Sequence, residues 1–139
     1  MKLETIKQTI NFKNIASIEL YNLFMNDSKH ASFTGDKVIV SNEINGKFEI
    51  FGGYCKGYNI ELDKGKKIVQ AWHFDEDGWP ENHYSICTFT FEKTIDGTKL
   101  AFLQTQVPEH KVEALKTGCK NYYWQAIKNL LNNKLSTKS

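Results

Sequence analysis

The chain has 139 residues, 40% hydrophobic and 13% aromatic, with 18 basic against 16 acidic side chains and a formal net charge of +2. That length suits one domain that buries about two-thirds of its unfolded surface without metal or disulfide staples. Every basic side chain other than histidine is lysine, so the guanidinium fork that reads phosphate and guanine is missing and nucleic acid is not expected as a partner. No apolar run is long enough to span a membrane.

The polar start, Met1-Lys2-Leu3-Glu4-Thr5, does not read as a secretion signal. Three widely spaced cysteines, Cys55, Cys87 and Cys119, suit reduced thiols, and a cytoplasmic location is expected.

Thr5 to Phe12 reads as a first strand, with Ile6, Ile10 and Phe12 on one face. Ser17 is placed to cap a short helix from Ile18 to Met25, whose apolar face is Leu20, Leu23 and Phe24. Asp27 or Ser28 starts a second helical turn through Phe33, ended by Thr34-Gly35.

Six strands follow: Lys37 to Glu43, Lys47 to Phe51, Tyr54 to Leu62, Lys67 to Phe74, His83 to Glu92 and Thr98 to Thr105. Asn45-Gly46, Gly52-Gly53, Lys64-Gly65 and Asp96-Gly97 supply the hairpin turns between β-forming segments. In the third of these strands Tyr58, Ile60 and Leu62 alternate; in the fourth, Ile68, Trp72 and Phe74 share a side. Ser85, Cys87, Phe89 and Phe91 alternate in the fifth, and Leu100 and Phe102 in the sixth. The long connection, Asp75 to Asn82, is acidic and carries Trp79-Pro80. The Lys64, Lys66 and Lys67 cluster reads as a solvated turn.

Pro108 is expected to open the last segment. There Val112, Leu115, Cys119, Tyr122, Tyr123, Ala126, Ile127, Leu130 and Leu131 form one apolar stripe, with Gly118 as a possible break. The reading is an α+β domain over residues 1–135, a curved antiparallel sheet of about seven strands around a long C-terminal helix, with residues 136–139 a frayed tail.

The motifs sharpen this. Phe33-Thr34-Gly35, Asn45-Gly46-Lys47-Phe48 and Ile68-Val69-Gln70-Ala71-Trp72 come first. Trp79-Pro80-Glu81-Asn82-His83-Tyr84-Ser85, Gly97-Thr98-Lys99-Leu100 and Gln104-Thr105-Gln106-Val107-Pro108 follow. In order and spacing they resemble the AHSA-type domain, named for the activator of the 90-kDa heat-shock chaperone's ATPase, over about residues 3–132. That domain belongs to the helix-grip fold of the START and SRPBCC superfamily. Asn45 replaces a usual glycine, and Cys119 replaces a tryptophan that often follows the helix glycine. The chain resembles the stand-alone members rather than the two-domain co-chaperone. The resemblance implies a non-catalytic module without a cofactor, in some members with a hydrophobic pocket and in some with a chaperone partner.

The residues supply no strong catalytic set. The four histidines, His30, His73, His83 and His110, do not fall at metal-ligand spacing with other donors, and no metal is expected. His83 and Ser85 share a strand face but stand about 7 Å apart at Cα, long for direct proton transfer. A cyclase- or hydrolase-like enzyme on this fold is the remaining catalytic reading, by fold analogy. Cys87 and Cys119 read as buried and inert, and Cys55 as the most exposed thiol.

The leading expectation is a non-enzymatic module that binds a hydrophobic small molecule or lipid-like ligand, a protein partner, or both. The alternative is a co-chaperone that stimulates the 90-kDa heat-shock chaperone. Candidate pocket residues are Phe48, Gln70, Trp72, Ser85, Cys87, Phe89, Phe102, Gln104, Tyr123 and Ile127, with the amides and hydroxyls fixing a ligand's polar end. Trp79 either folds back over the sheet or anchors a partner.

Overall fold

Strand β7 (Gly97–Pro108) is the longest strand among the described residues and alternates buried with part-exposed side chains over most of its length. It pairs antiparallel with β1 (Leu3–Lys13) on one side and β6 (Ser85–Lys93) on the other. The sheet continues through β5 (Lys67–Phe74), β4 (Cys55–Asp63) and β3 (Lys47–Ile50) to β2 (Val38–Val40), giving the order β1-β7-β6-β5-β4-β3-β2. The computed structural model describes residues 2–26, 38–41, 43–50 and 54–137. The helical turn expected at Asp27 to Phe33, the Gly52-Gly53 turn and part of the tail lie outside them, as do the side chains of Cys119 and Tyr122.

All six pairings among the described residues are antiparallel; β2 to β7 follow one another as a meander, and β1 adds to the outer side of β7. Inward side chains of β1, β5, β6 and β7 meet the buried face of α1 (Ser17–Met25) and the C-terminal helix in one core. Fully burying a residue such as Leu20, Phe24 or Ile127 contributes about 1.5–3 kcal/mol before entropy is counted.

Ser17 does not cap α1. Ala16 holds the cap position and makes no side-chain bond there. The Thr98 hydroxyl donates to the Ile15 carbonyl at 2.8 Å, and Ser17 Oγ lies 3.3 Å from Thr98 Oγ1, so Ser17 donates across to β7. Long-range tethering has replaced the local cap.

Strand β4 departs from simple alternation. Cys55, Gly57 and Asn59 lie opposite Phe74, Trp72 and Gln70, and a bulge between Asn59 and Glu61 inserts Ile60. Tyr58 and Ile60 therefore face outward, each 38% exposed, while Asn59 is fully buried. After the bulge Leu62 returns to the inner face opposite Ile68 and packs on the core. Cys55, expected to be exposed, is buried for the same reason. Gly57 answers a close approach: a Cβ there would fall 1.7 Å from the Ala71 carbonyl oxygen.

Pro108 ends β7 instead of opening a helix; it pairs with Leu3 at the strand's end. A 3-10 turn, Glu109–Lys111, leads into the helix Val112–Cys119, a π-helical turn Lys120–Trp124, and the helix Gln125–Thr137. The helix runs through Gly118, and the expected division into a short lead-in and a longer helix falls just after it, at the π turn. The wider π turn shifts the helix face by one residue, so that Tyr123 and Trp124, adjacent in sequence, are both buried.

Candidate functional site

The π turn places Tyr123 over the sheet. Its ring stacks on Phe24 at 6.1 Å with planes 10° apart, and lies 6.1 Å from Trp72. Beneath it Phe89 sits 5.0 Å from Phe24 and 5.1 Å from Phe102, which meets Trp124 edge-on at 5.3 Å. Phe48 closes the far side against Trp72 at 5.6 Å. All ten residues named from sequence as pocket candidates are buried.

Their polar groups are already engaged. Trp72 Nε1 donates to Gln70 Oε1 at 2.9 Å, and Gln70 Nε2 donates to Asn59 Oδ1 at 2.9 Å. Asn59 Nδ2 donates in turn to the carbonyls of Ser41 at 2.7 Å and Glu43 at 3.0 Å. A second pair links Gln104 Nε2 to Ser85 Oγ at 2.9 Å, with that hydroxyl directed to the Trp72 carbonyl at 3.3 Å. Pairing sets Asn59, Gln70, Cys87 and Gln104 in one inward row across four strands. Among the described residues no buried side-chain nitrogen or oxygen lacks a partner. Buried amides must be satisfied, and these satisfy one another. Asn59 was missed from sequence; the signal was a polar residue at the same face parity as Cys55, two positions from Gly57.

The Asp75–Asn82 connection folds back. The Trp79 ring meets Phe74 edge-on at 4.9 Å, its Nε1 donates to the His83 carbonyl at 2.9 Å, and it is buried. Of the two fates left open for Trp79, folding back is the one observed. His83 Nε2 donates to the Gln106 carbonyl at 2.7 Å, whereas Ser85 Oγ is engaged by Gln104 and the Trp72 carbonyl. From the start of the C-terminal segment, His110 Nε2 donates to the Gly78 carbonyl and Lys111 Nζ to that of Asp77, both at 2.7 Å. Lys111 also pairs with Glu76 at 3.4 Å. The Tyr54 hydroxyl donates to Glu76 Oε2; burial, reinforced by that bond and the Glu76 charge, pushes the phenol well above its ordinary range. Among the described residues no group of three His, Cys, Asp or Glu converges as a metal site would require.

Part of the outward face of the sheet is apolar. Tyr58 aligns with Ala71 and then Ile86 across three strands, and Val69 aligns with Thr88 and Leu103. The Tyr84 ring sits 5.6 Å from Tyr58 and 5.7 Å from His73.

A seven-stranded antiparallel sheet packed on a C-terminal helix, with α1 inserted after the first strand, defines an α+β helix-grip domain. A crystal structure of a heat-shock-protein-90 activator from Plasmodium falciparum shares this fold with a TM-score of 0.78, at 24% identity over 94% of this chain and 96% of that one. The family model "Activator of Hsp90 ATPase homolog 1-like protein" matches residues 16–132, and the chain belongs to that family. An "Activator of 90 kDa heat shock protein ATPase homolog" from Dictyostelium discoideum is 33% identical over 128 residues, 90% of this chain and 32% of that protein. The "Activator of 90 kDa heat shock protein ATPase homolog 1" of Mus musculus is 29% identical over 129 residues, 92% of this chain and 38% of that protein. The chain spans about a third of the length of these curated relatives. No helix among the described residues is long and apolar enough to cross a membrane.

Proposed function

We propose that this domain is a non-enzymatic docking module that engages a chaperone of the 90-kDa heat-shock class through the outward face of its sheet. The observation that carries this is the group of Tyr58, Ile60, Tyr84 and Ile86 on that face: Tyr58 and Ile60 are each 38% exposed, and Tyr84 and Ile86 are part-exposed. Large amphipathic aromatics at low entropic cost are what a protein interface uses as anchors. The names of the relatives supply the class of partner. The test is to add the protein to its host's chaperone, measuring ATP turnover and complex formation by sedimentation. A raised rate together with a complex supports the reading. An unchanged rate with no complex overturns it.

A second reading is favoured by the π turn, a feature often found at functional sites. In it a hydrophobic ligand enters beneath Tyr123 and Ile127 among the ten buried candidates, displacing the Tyr123 ring from Phe24. Titration with fatty acids, followed by NMR, distinguishes the two: saturable shifts at Phe89, Phe102 and Tyr123 support it, and an unresponsive interior removes it.

A further inference from the structure

Of the asparagines in this chain, Asn45 alone is followed by glycine. The pair lies in the turn between β2 and β3. Asn45 adopts a φ of 67°, a left-handed conformation that asparagine tolerates better than most residues. Gly46 has no room for a side chain, because a Cβ there would fall 2.0 Å from Ser41 Oγ and 2.9 Å from the Glu43 carbonyl oxygen. The turn is therefore built on the least hindered sequence for attack of a backbone nitrogen on an asparagine side chain.

The closed turn opposes that attack. The Gly46 N–H donates to the Glu43 carbonyl at 3.0 Å. Asn59 grips the turn from β4. The Asn45 N–H donates to the Asn59 carbonyl at 2.8 Å, and the Asn59 N–H donates to the Gly46 carbonyl at 2.9 Å. Asn59 Nδ2 holds the carbonyls of Ser41 and Glu43. The Asn45 residue itself is exposed, so water reaches it and only geometry protects it.

We propose that Asn45 is a deamidation site, held off while the turn is closed and released when it opens. The Gly46 nitrogen gives its proton to hydroxide and bonds to Asn45 Cγ. The bond from Cγ to the side-chain nitrogen breaks, and that nitrogen takes a proton from water and leaves as ammonia. Water then opens the cyclic imide at either carbonyl, leaving aspartate or isoaspartate. Because the Gly46 N–H and carbonyl are both engaged in the closed turn, the rate follows the local opening equilibrium. Isoaspartate routes the main chain through the former side-chain carbon and lengthens it. With Gly46 packed against Ser41, the bonds of Asn45 and Gly46 to Asn59 cannot both re-form. The change is one-way, and through Asn59 it reaches Gln70 and Trp72. It stands whether or not a chaperone binds the outward face.

The test incubates the full chain at mildly alkaline pH, in buffer and in urea. Mass spectrometry of the tryptic peptide 38–47 follows it, with fragment ions locating the change at position 45. Conversion in buffer should be slower than in urea by about tenfold or more. The two products are then separated and refolded. The aspartate form should keep nearly the wild-type urea midpoint, as should the Asn45→Asp variant. The isoaspartate form should unfold at lower urea or fail to refold. Equal rates in buffer and urea, no conversion at position 45 in urea, or an isoaspartate form as stable as the aspartate form overturns the proposal.

Discussion

The Trp72 indole N–H donates to the Gln70 side-chain oxygen at 2.9 Å, on the same face of the same strand. That bond opens a chain running through Asn59 to the carbonyls of Ser41 and Glu43, and so fastens the connection between β2 and β3 to the centre of the sheet. A buried amide holding two partners has a defined replacement cost. Gln70→Leu strands the Trp72 donor and the Asn59 acceptor together. Loss of about 2–4 kcal/mol in urea unfolding is expected. A loss below about 0.5 kcal/mol would mean that water or rearrangement satisfies both groups.

Gly57 and Gly118 make opposite predictions. A methyl at position 57 meets the Ala71 carbonyl oxygen at 1.7 Å, and backbone cannot yield as a side-chain tip can. Gly57→Ala should destabilise by about 3 kcal/mol or more, or prevent folding. At Gly118 a Cβ meets nothing within 4 Å, and the residue is helical. Gly118→Ala should stabilise by about 0.5–1 kcal/mol. Thermal unfolding of both variants checks the pair.

The same two glycines show what sequence could and could not convey. Turn dipeptides, strand alternation in β5 to β7 and the stripe of the last segment made the sheet and its helix legible, because each is a local pattern. The outward turn of Tyr58 and Ile60 was not legible. A bulge is set by how β4 pairs with β5, and one inserted residue reverses every side chain beyond it. Likewise nothing local in Tyr122-Tyr123-Trp124 announces a π turn; the sheet's demand for both Tyr123 and Trp124 selects it. The candidate residues could be named as an inward set. That their amides pair with one another, through an unforeseen Asn59, depends on cross-strand register.

Burial and Glu76 hold the Tyr54 phenol above its ordinary value of 10.0, and burial with the Asp63 charge raises Tyr21. Raised folded-state values mean that these phenols stay protonated after their unfolded counterparts ionise. Their contribution is complete below about pH 10 and declines as pH rises above it. The urea midpoint should therefore fall between about pH 9 and about pH 11.5, less steeply in Tyr54→Phe than in the wild type. Equal slopes would show that Glu76 does not hold the phenol in solution.

Ile127 is fully buried where the C-terminal helix crosses the core. Ile127→Ala should cost about 2–5 kcal/mol, as deletion of buried methyl groups does in a closed core. A much smaller loss would indicate space beneath the helix, which is what the ligand reading requires. Denaturant unfolding of this single variant weighs a closed interior against an open one.

The most direct measurement of the central claim is NMR mapping of the chaperone-bound protein, read at Tyr58, Ile60, Tyr84 and Ile86 against Phe89, Phe102 and Tyr123. Docking by the outward face predicts broadening at the first group while the second keeps its shifts. Broadening confined to the second group, with Tyr58 and Ile86 unaffected at saturation, would contradict it.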